Sequence, residues 1–144
     1  MANPDAILDA SAVLAWLQEE PGADEVDAVL DRSAISAVNA TEVVHKLISK
    51  GATREKAQEI LDRLSLPVLD FTEPMSRACA GLSHHVGLSL GDRACLATAL
   101  TLGVPVFSSD RRWGKLEMPE TVRLIRSPTE VLLPKSAQST SSKA

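Results

Sequence analysis

The chain has 144 residues and a formal net charge of −4, a length that fits one domain whose core needs no covalent staples. Its 44% apolar and 24% charged residues are those of an ordinary globular protein and argue against intrinsic disorder over most of the chain. No apolar run approaches the ~20 residues needed to cross a bilayer, and the opening MANPDAILDA lacks the basic and apolar regions of a secretory leader. The expected setting is therefore the cytoplasm, with no membrane association.

In chain order, Asp5–Asp9 (DAILD) predicts a short buried strand with Ile7 and Leu8 in the core. Ala10, Val13, Leu14 and Leu17 recur at helical spacing and predict a helix directly after it. Pro21-Gly22 punctuates, and Val26, Val29 and Leu30 mark a second short helix to about Asp31. Ala34–Val38 predicts a brief strand. Val43, Val44, Leu47 and Ile48 then make the apolar face of a helix ended by Gly51. Thr53 caps the next helix, whose stripe is Ala57, Ile60, Leu61 and Leu64.

Pro67–Phe71 predicts another strand. Thr72 caps a helix carrying Met75, Ala78, Cys79, Leu82 and Val86, with Pro74 tolerated in its first turn. Ser89 caps a helix that runs to Leu102 and stops at Gly103. Val104–Phe107 and Val122–Ile125 predict the last two strands. Cys79 and Cys95 both fall in apolar helical patterns and read as buried thiols of a reducing compartment. Strands alternating with helices predict an α/β fold, a mainly parallel sheet with helices on its faces. The domain is expected over residues 1–133, and the polar, aperiodic 134–144 (PKSAQSTSSKA) reads as a disordered tail.

In an open parallel sheet, sites form beyond the carboxyl ends of the strands, where strand order reverses. Asp9 closes the first strand and Asp110 follows the Val104–Phe107 strand. Glu42 and Asp92 are expected in the first turns of helices. Four carboxylates brought to one rim repel one another, a conflict that a hard divalent cation resolves. Mg²⁺ or Mn²⁺ takes oxygen ligands and keeps several waters, so few carboxylates suffice. Such a site activates water and offsets charge on a phosphate under attack. The chain offers no nucleophile–base pair of comparable coherence.

Four stretches carry a resemblance: LDASAVLAWLQEEPG (Leu8–Gly22), NATE (Asn39–Glu42), LSLGDRACLATALTLG (Leu88–Gly103) and VFSSDRRW (Val106–Trp113). In order and spacing they resemble the PIN domain family, and more narrowly the VapC toxins of prokaryotic type II toxin–antitoxin pairs. The likeness runs from about Ala6 to Val131. Any one piece is weak; four in register are specific. The resemblance implies a three-layer α/β/α PIN fold and a metal-dependent endoribonuclease. It also implies a homodimer, an RNA substrate and a cognate VapB-like antitoxin that blocks the acidic groove. Asp9 and Asp92 would be the principal metal ligands. Glu42 would bind metal or orient its water, and Asp110 would complete the set. Ser11 and Ser108 would hydrogen-bond the carboxylates from behind.

Each residue has a plainer reading as well. Ser89-x-x-Asp92 is a capping pattern, and an early helical acid is favoured by the macrodipole, for Glu42 as for Asp92. Asp110 fits a turn opener. Asp9 resists this, because a carboxylate ending an apolar strand needs a partner. Arg93, Arg111, Arg112 and Lys115 are candidate phosphate contacts or simply solvated charge. Trp16 and Trp113 suit packing or a subunit interface better than base stacking. His45, His84 and His85 are poorly spaced for zinc. An aspartyl-phosphatase wants a second Asp where Ser11 stands, a receiver domain wants paired acids after the first strand, and no P-loop or G-x-G-x-x-G is present. The chief non-catalytic alternative is a PIN-like module that binds RNA or an antitoxin with little activity.

Overall fold

The computed structural model describes residues 3–85 and 87–125. Five short strands, β1 (Ala6–Leu8), β2 (Ser33–Ser36), β3 (Val68–Leu69), β4 (Val106–Ser108) and β5 (Val122–Leu124), form one sheet in the order β3-β2-β1-β4-β5. Every pairing is parallel, with Ile7 opposite Val106 on one side and Ala34 on the other. Six helices connect them: α1 (Ala10–Leu17), α2 (Ala23–Val29), α3 (Ala37–Ser49), α4 (Arg54–Asp62), α5 (Glu73–Ala80) and α6 (Leu90–Leu102). Two 3₁₀ turns, Leu30–Arg32 and Arg111–Leu116, precede β2 and β5.

Adjacent strand residues feed opposite cores, which is the period-two geometry of a sheet covered on both faces. Leu8 and Ile35 pack with Ala12, Val13, Val26, Val43 and Leu61 of α1 to α4. Ile7, Ala34 and Val106 pack with Cys95, Leu96 and Ala99 of α6 and with Trp113. The result is the expected three-layer α/β/α arrangement. Ala94 through Ala99 of α6 are all buried, and apart from Leu96 their side chains are small, which lets this helix lie close to its neighbours. Gly22 serves α2 in two ways: its φ of +98° suits the helix start, and a Cβ there would press on the Ile125 backbone carbonyl.

Several boundaries differ from the sequence reading; the strand expected over Val104–Phe107 is Val106–Ser108. The strand expected over Ala34–Val38 is Ser33–Ser36, because the Ser36 hydroxyl accepts the Val38 amide and starts α3 at Ala37. Glu42 is consequently in the second turn of α3, and its reading as a first-turn acid is corrected. The helix after Thr72 ends at Ala80, and turns follow; Leu82 still reaches the core from the turn. Val86, placed on that stripe by sequence, lies outside the described residues, as do the expected tail 134–144 and the stretch to Val131. The strand over Pro67–Phe71 is only Val68–Leu69, an edge pair. Caps at Thr53, Thr72 and Ser89 stand where the sequence put them. Among the described residues no helix is long and apolar enough to cross a membrane.

Candidate functional site

Strand order reverses between β1 and β4, the two central neighbours, and the crevice beyond their carboxyl ends is where a parallel sheet places a site. Asp9 sits there as the N-cap of α1, its Oδ1 accepting the Ala12 amide at 2.8 Å. Ser11 donates to the same oxygen and Ser108 to Oδ2, each at 2.7 Å. The carboxyl is buried, 5% exposed. Burial outweighs the three hydrogen bonds, and with a smaller push from Asp92 it lifts Asp9 from 3.8 to about 6. No basic side chain pairs with Asp9 among the described residues.

A small network joins β1 to β4. The Ser108 hydroxyl also accepts the Asp110 amide at 3.0 Å, and the Ser11 hydroxyl accepts the Ser109 amide at 3.0 Å. Asp110 thus hangs one hydrogen bond away from the hydroxyl that holds Asp9. Its own carboxylate is taken by Arg112, whose Nε and Nη2 approach at 3.0 and 2.6 Å in a forked pair. That contact, more than any backbone bond, draws the Asp110 pKa below its ordinary value.

Asp92 completes a capping box: it donates its amide to Ser89 Oγ at 3.1 Å, while its Oδ2 accepts the Ser89 amide at 3.0 Å. The capping role seen in the sequence is therefore real, and it fixes the carboxylate at the start of α6. Glu42 reaches the same place from α3. Asn39 donates one amide to Glu42 Oε1 at 2.8 Å and to the Gly91 carbonyl at 3.1 Å. Cys95 is fully buried one turn after Asp92. Burial chiefly raises its thiol, and Asp9, Glu42 and Asp92 all add to the rise. The thiol stays protonated and inert.

Asp9, Glu42 and Asp92 thus stand near enough to act on the Cys95 thiol through their charge, and Asp110 is linked to Asp9 through Ser108. They are not drawn into a single coordination shell: among the described residues, no three of His, Cys, Asp or Glu stand close enough together to hold one ion. The donor set suits Mg²⁺ or Mn²⁺, being carboxylate oxygen with hydroxyls behind it and no imidazole or thiolate.

The predicted phosphate contacts are less uniform. Arg112 is engaged with Asp110, and Arg93 caps the Leu88 carbonyl at 2.9 Å. Lys115 is exposed on the 3₁₀ turn, and Arg111 is half-buried there. Trp113 is buried under β4 and β5, so it packs and does not stack on a base; Trp16 bonds Asp27 at 3.1 Å between α1 and α2. Asn39 and Gly91 went unassigned in the sequence reading. The one available signal was Asn39 lying three residues before Glu42 on a helix, where side chains meet. Two surface grooves, one along α3 and α4 and one at the amino-terminal edge of the sheet, contain none of the four acids.

The fold is an all-parallel α/β/α domain with acidic side chains at its switch point. The PIN domain pattern matches residues 6–117, and the chain is a member of the PIN domain family. No curated protein matches it. In fold it is similar to a chain of a toxin–antitoxin complex from Klebsiella pneumoniae, at 17% identity and TM-score 0.67, over 85% of this chain and 98% of that one. A chain of DNA-bound VapBC from Salmonella typhimurium gives the same four values. A chain of VapBC-5 from Mycobacterium tuberculosis is 21% identical with TM-score 0.57, over 86% of this chain and all of that one.

Proposed function

We propose that the chain is a metal-dependent endoribonuclease toxin, which hydrolyses RNA phosphodiester bonds at the acidic site and is held inactive by a cognate antitoxin. The observation that carries this reading is the buried Asp9 carboxylate at the switch point of the sheet, held by Ser11 and Ser108, with Glu42 tied through Asn39 to Gly91 next to Asp92. Membership of the PIN domain family supports it. The likeness in fold to chains of toxin–antitoxin complexes supports the antitoxin partner. A homodimer and a cytoplasmic setting complete the reading.

Asp9 and Asp92 would hold Mg²⁺ or Mn²⁺, with Glu42 as the third donor and Asp110 at the edge of the shell. The ion, when bound, supplies Lewis acidity and offsets the charge that gathers on the phosphodiester. The chain's own residues do the rest. Ser11 and Ser108 fix both oxygens of Asp9, so the ligand is oriented before it is used. The capping box fixes Asp92 on rigid helix. Glu42 would orient the attacking water and accept its proton. Arg112 and Lys115 on the rim, with Arg93 and Arg111 nearby in sequence, contact phosphates and compensate for an acidic site on an acidic chain.

The test is digestion of total cellular RNA by purified protein, with Mg²⁺ or Mn²⁺ against EDTA and with Asp92→Asn beside it. Discrete fragments that need metal and Asp92, and that vanish on adding the antitoxin, are expected. A folded, antitoxin-free dimer that binds RNA without cutting it would favour the non-catalytic PIN-like module.

A further inference from the structure

Gly91 lies inside α6 with an ordinary helical backbone, since its φ is not positive. Nothing in the helix itself asks for glycine there, and a helix prefers alanine. The reason is across the interface. A Cβ built on Gly91 would overlap Glu42 Oε2 and lie 2.8 Å from Glu42 Cδ. The carboxylate therefore occupies the space that any side chain at 91 would fill. Asn39, 1% exposed, closes the arrangement by bonding Glu42 with the same amide that holds the Gly91 carbonyl. Its own Oδ1 is buried with no protein partner among the described residues.

We infer that Gly91 and Asn39 form a seat for the Glu42 carboxylate: the missing side chain admits it to the first turn of α6 beside Asp92, and the Asn39 amide clamps it there. Both are positioning residues of the proposed metal site, so their effect on metal rests on that reading, while the seat itself does not. The contact is also selective in what it tolerates. The atoms nearest a methyl at 91 are the far end of the flexible Glu42 side chain, so with alanine there the fold survives and Glu42 is displaced.

The test is a double-mutant cycle between Gly91→Ala and Glu42→Ala on the full chain, read twice. In EDTA, thermal midpoints report the seat alone. Alanine at 91 realises its helical preference fully only when the Glu42 carboxylate is gone, so Gly91→Ala shifts the midpoint more favourably, by about 2–4 °C, in the Glu42→Ala background than in wild type. In Mn²⁺ titrations followed by the resonance signal of the free ion, Gly91→Ala and Asn39→Ala each weaken binding by about tenfold or more. The double variant Gly91→Ala/Glu42→Ala binds no worse than Glu42→Ala alone. Equal midpoint shifts in both backgrounds overturn the seat, whatever Mn²⁺ does. Wild-type Mn²⁺ affinity in Gly91→Ala overturns the positioning role. If wild type itself binds no Mn²⁺, or Asp9→Asn binds as well as wild type, the metal reading falls, and the EDTA cycle alone decides the seat.

Discussion

The Ser108 hydroxyl donates to Asp9 Oδ2 at 2.7 Å and accepts the Asp110 amide at 3.0 Å, so one small side chain on β4 orients the acid of β1 and the turn that carries its neighbour. The direction of that bond matters. A donor to a carboxylate favours its charged form, and here it works against the burial that makes Asp9 hard to ionise.

Ser108→Ala should raise the Asp9 pKa beyond about 6 and move the pH at which metal binds upward. Metal affinity should fall by roughly 10–100-fold, as for other residues that orient a ligand. Mn²⁺ titrations between pH 6 and pH 8, with the Asp9 carboxyl followed by NMR, check both. An unchanged pH profile would mean the hydroxyl is only packing.

Asp9→Asn gives a stability prediction with a definite sign. Folding raises this carboxyl from 3.8 to about 6, so the metal-free native state prefers it protonated. The associated stability is complete below about pH 4 and is lost as pH rises through about 6, a cost near 3 kcal/mol when ionised. Relative to wild type in EDTA, Asp9→Asn should gain stability between pH 4 and pH 7. Saturating metal should reverse the order, because it stabilises wild type alone. Denaturant melts at pH 4.5 and pH 7.5 read the difference.

The Asp110–Arg112 pair has the opposite sign. Its Asp110 pKa lies below the ordinary value, so the contribution is present above about pH 4 and fades as pH falls. Arg112 is largely exposed, its side chain at 69%, so Arg112→Ala should cost little stability at pH 7 and less at pH 3. Cleavage should suffer more than stability, through weaker phosphate contact. A salt series of RNA binding distinguishes the two, since losing a phosphate contact flattens the salt dependence.

Ser89→Ala removes the N-cap of α6 and should destabilise by about 1 kcal/mol. Asp92→Asn should cost less, since an amide oxygen can still accept the Ser89 amide. Its loss of cleavage should nonetheless be near complete. A Ser89→Ala variant as inactive as Asp92→Asn would assign Asp92 to capping alone.

The elements most legible in the sequence were those with chemical punctuation. The start of α6 at Ser89 and its stop at Gly103, with φ of +70°, follow from side-chain capping and left-handed glycine. The β2–α3 junction was misplaced because Ser36 ends a strand and caps a helix equally well, and Ala37-Val38 do not decide between them. Helix α5 was drawn too long because Leu82 remains buried after the helix has stopped; an apolar stripe reports burial, not hydrogen bonding. The edge pair Val68–Leu69 is shorter than its apolar run for a related reason: Val68 is 51% exposed at the sheet edge, and Pro67 before it has no amide to donate and only accepts the Ile35 amide. The four acids stood out through spacing and family resemblance. Their partners did not: Asn39 meets Gly91 across 52 residues, and a contact over that separation leaves no periodicity to read.

The central claim, that Asp9, Glu42 and Asp92 form a metal-dependent RNA-cutting site, is tested most directly by single-turnover cleavage of a labelled RNA as Mg²⁺ is titrated, with wild type and Asp9→Asn matched for folding by circular dichroism. A saturable, Mg²⁺-dependent rate in wild type that falls by about a thousandfold or more in Asp9→Asn, some 4 kcal/mol of transition-state stabilisation, is the predicted result. Cleavage that persists in EDTA, or survives in folded Asp9→Asn, would contradict it.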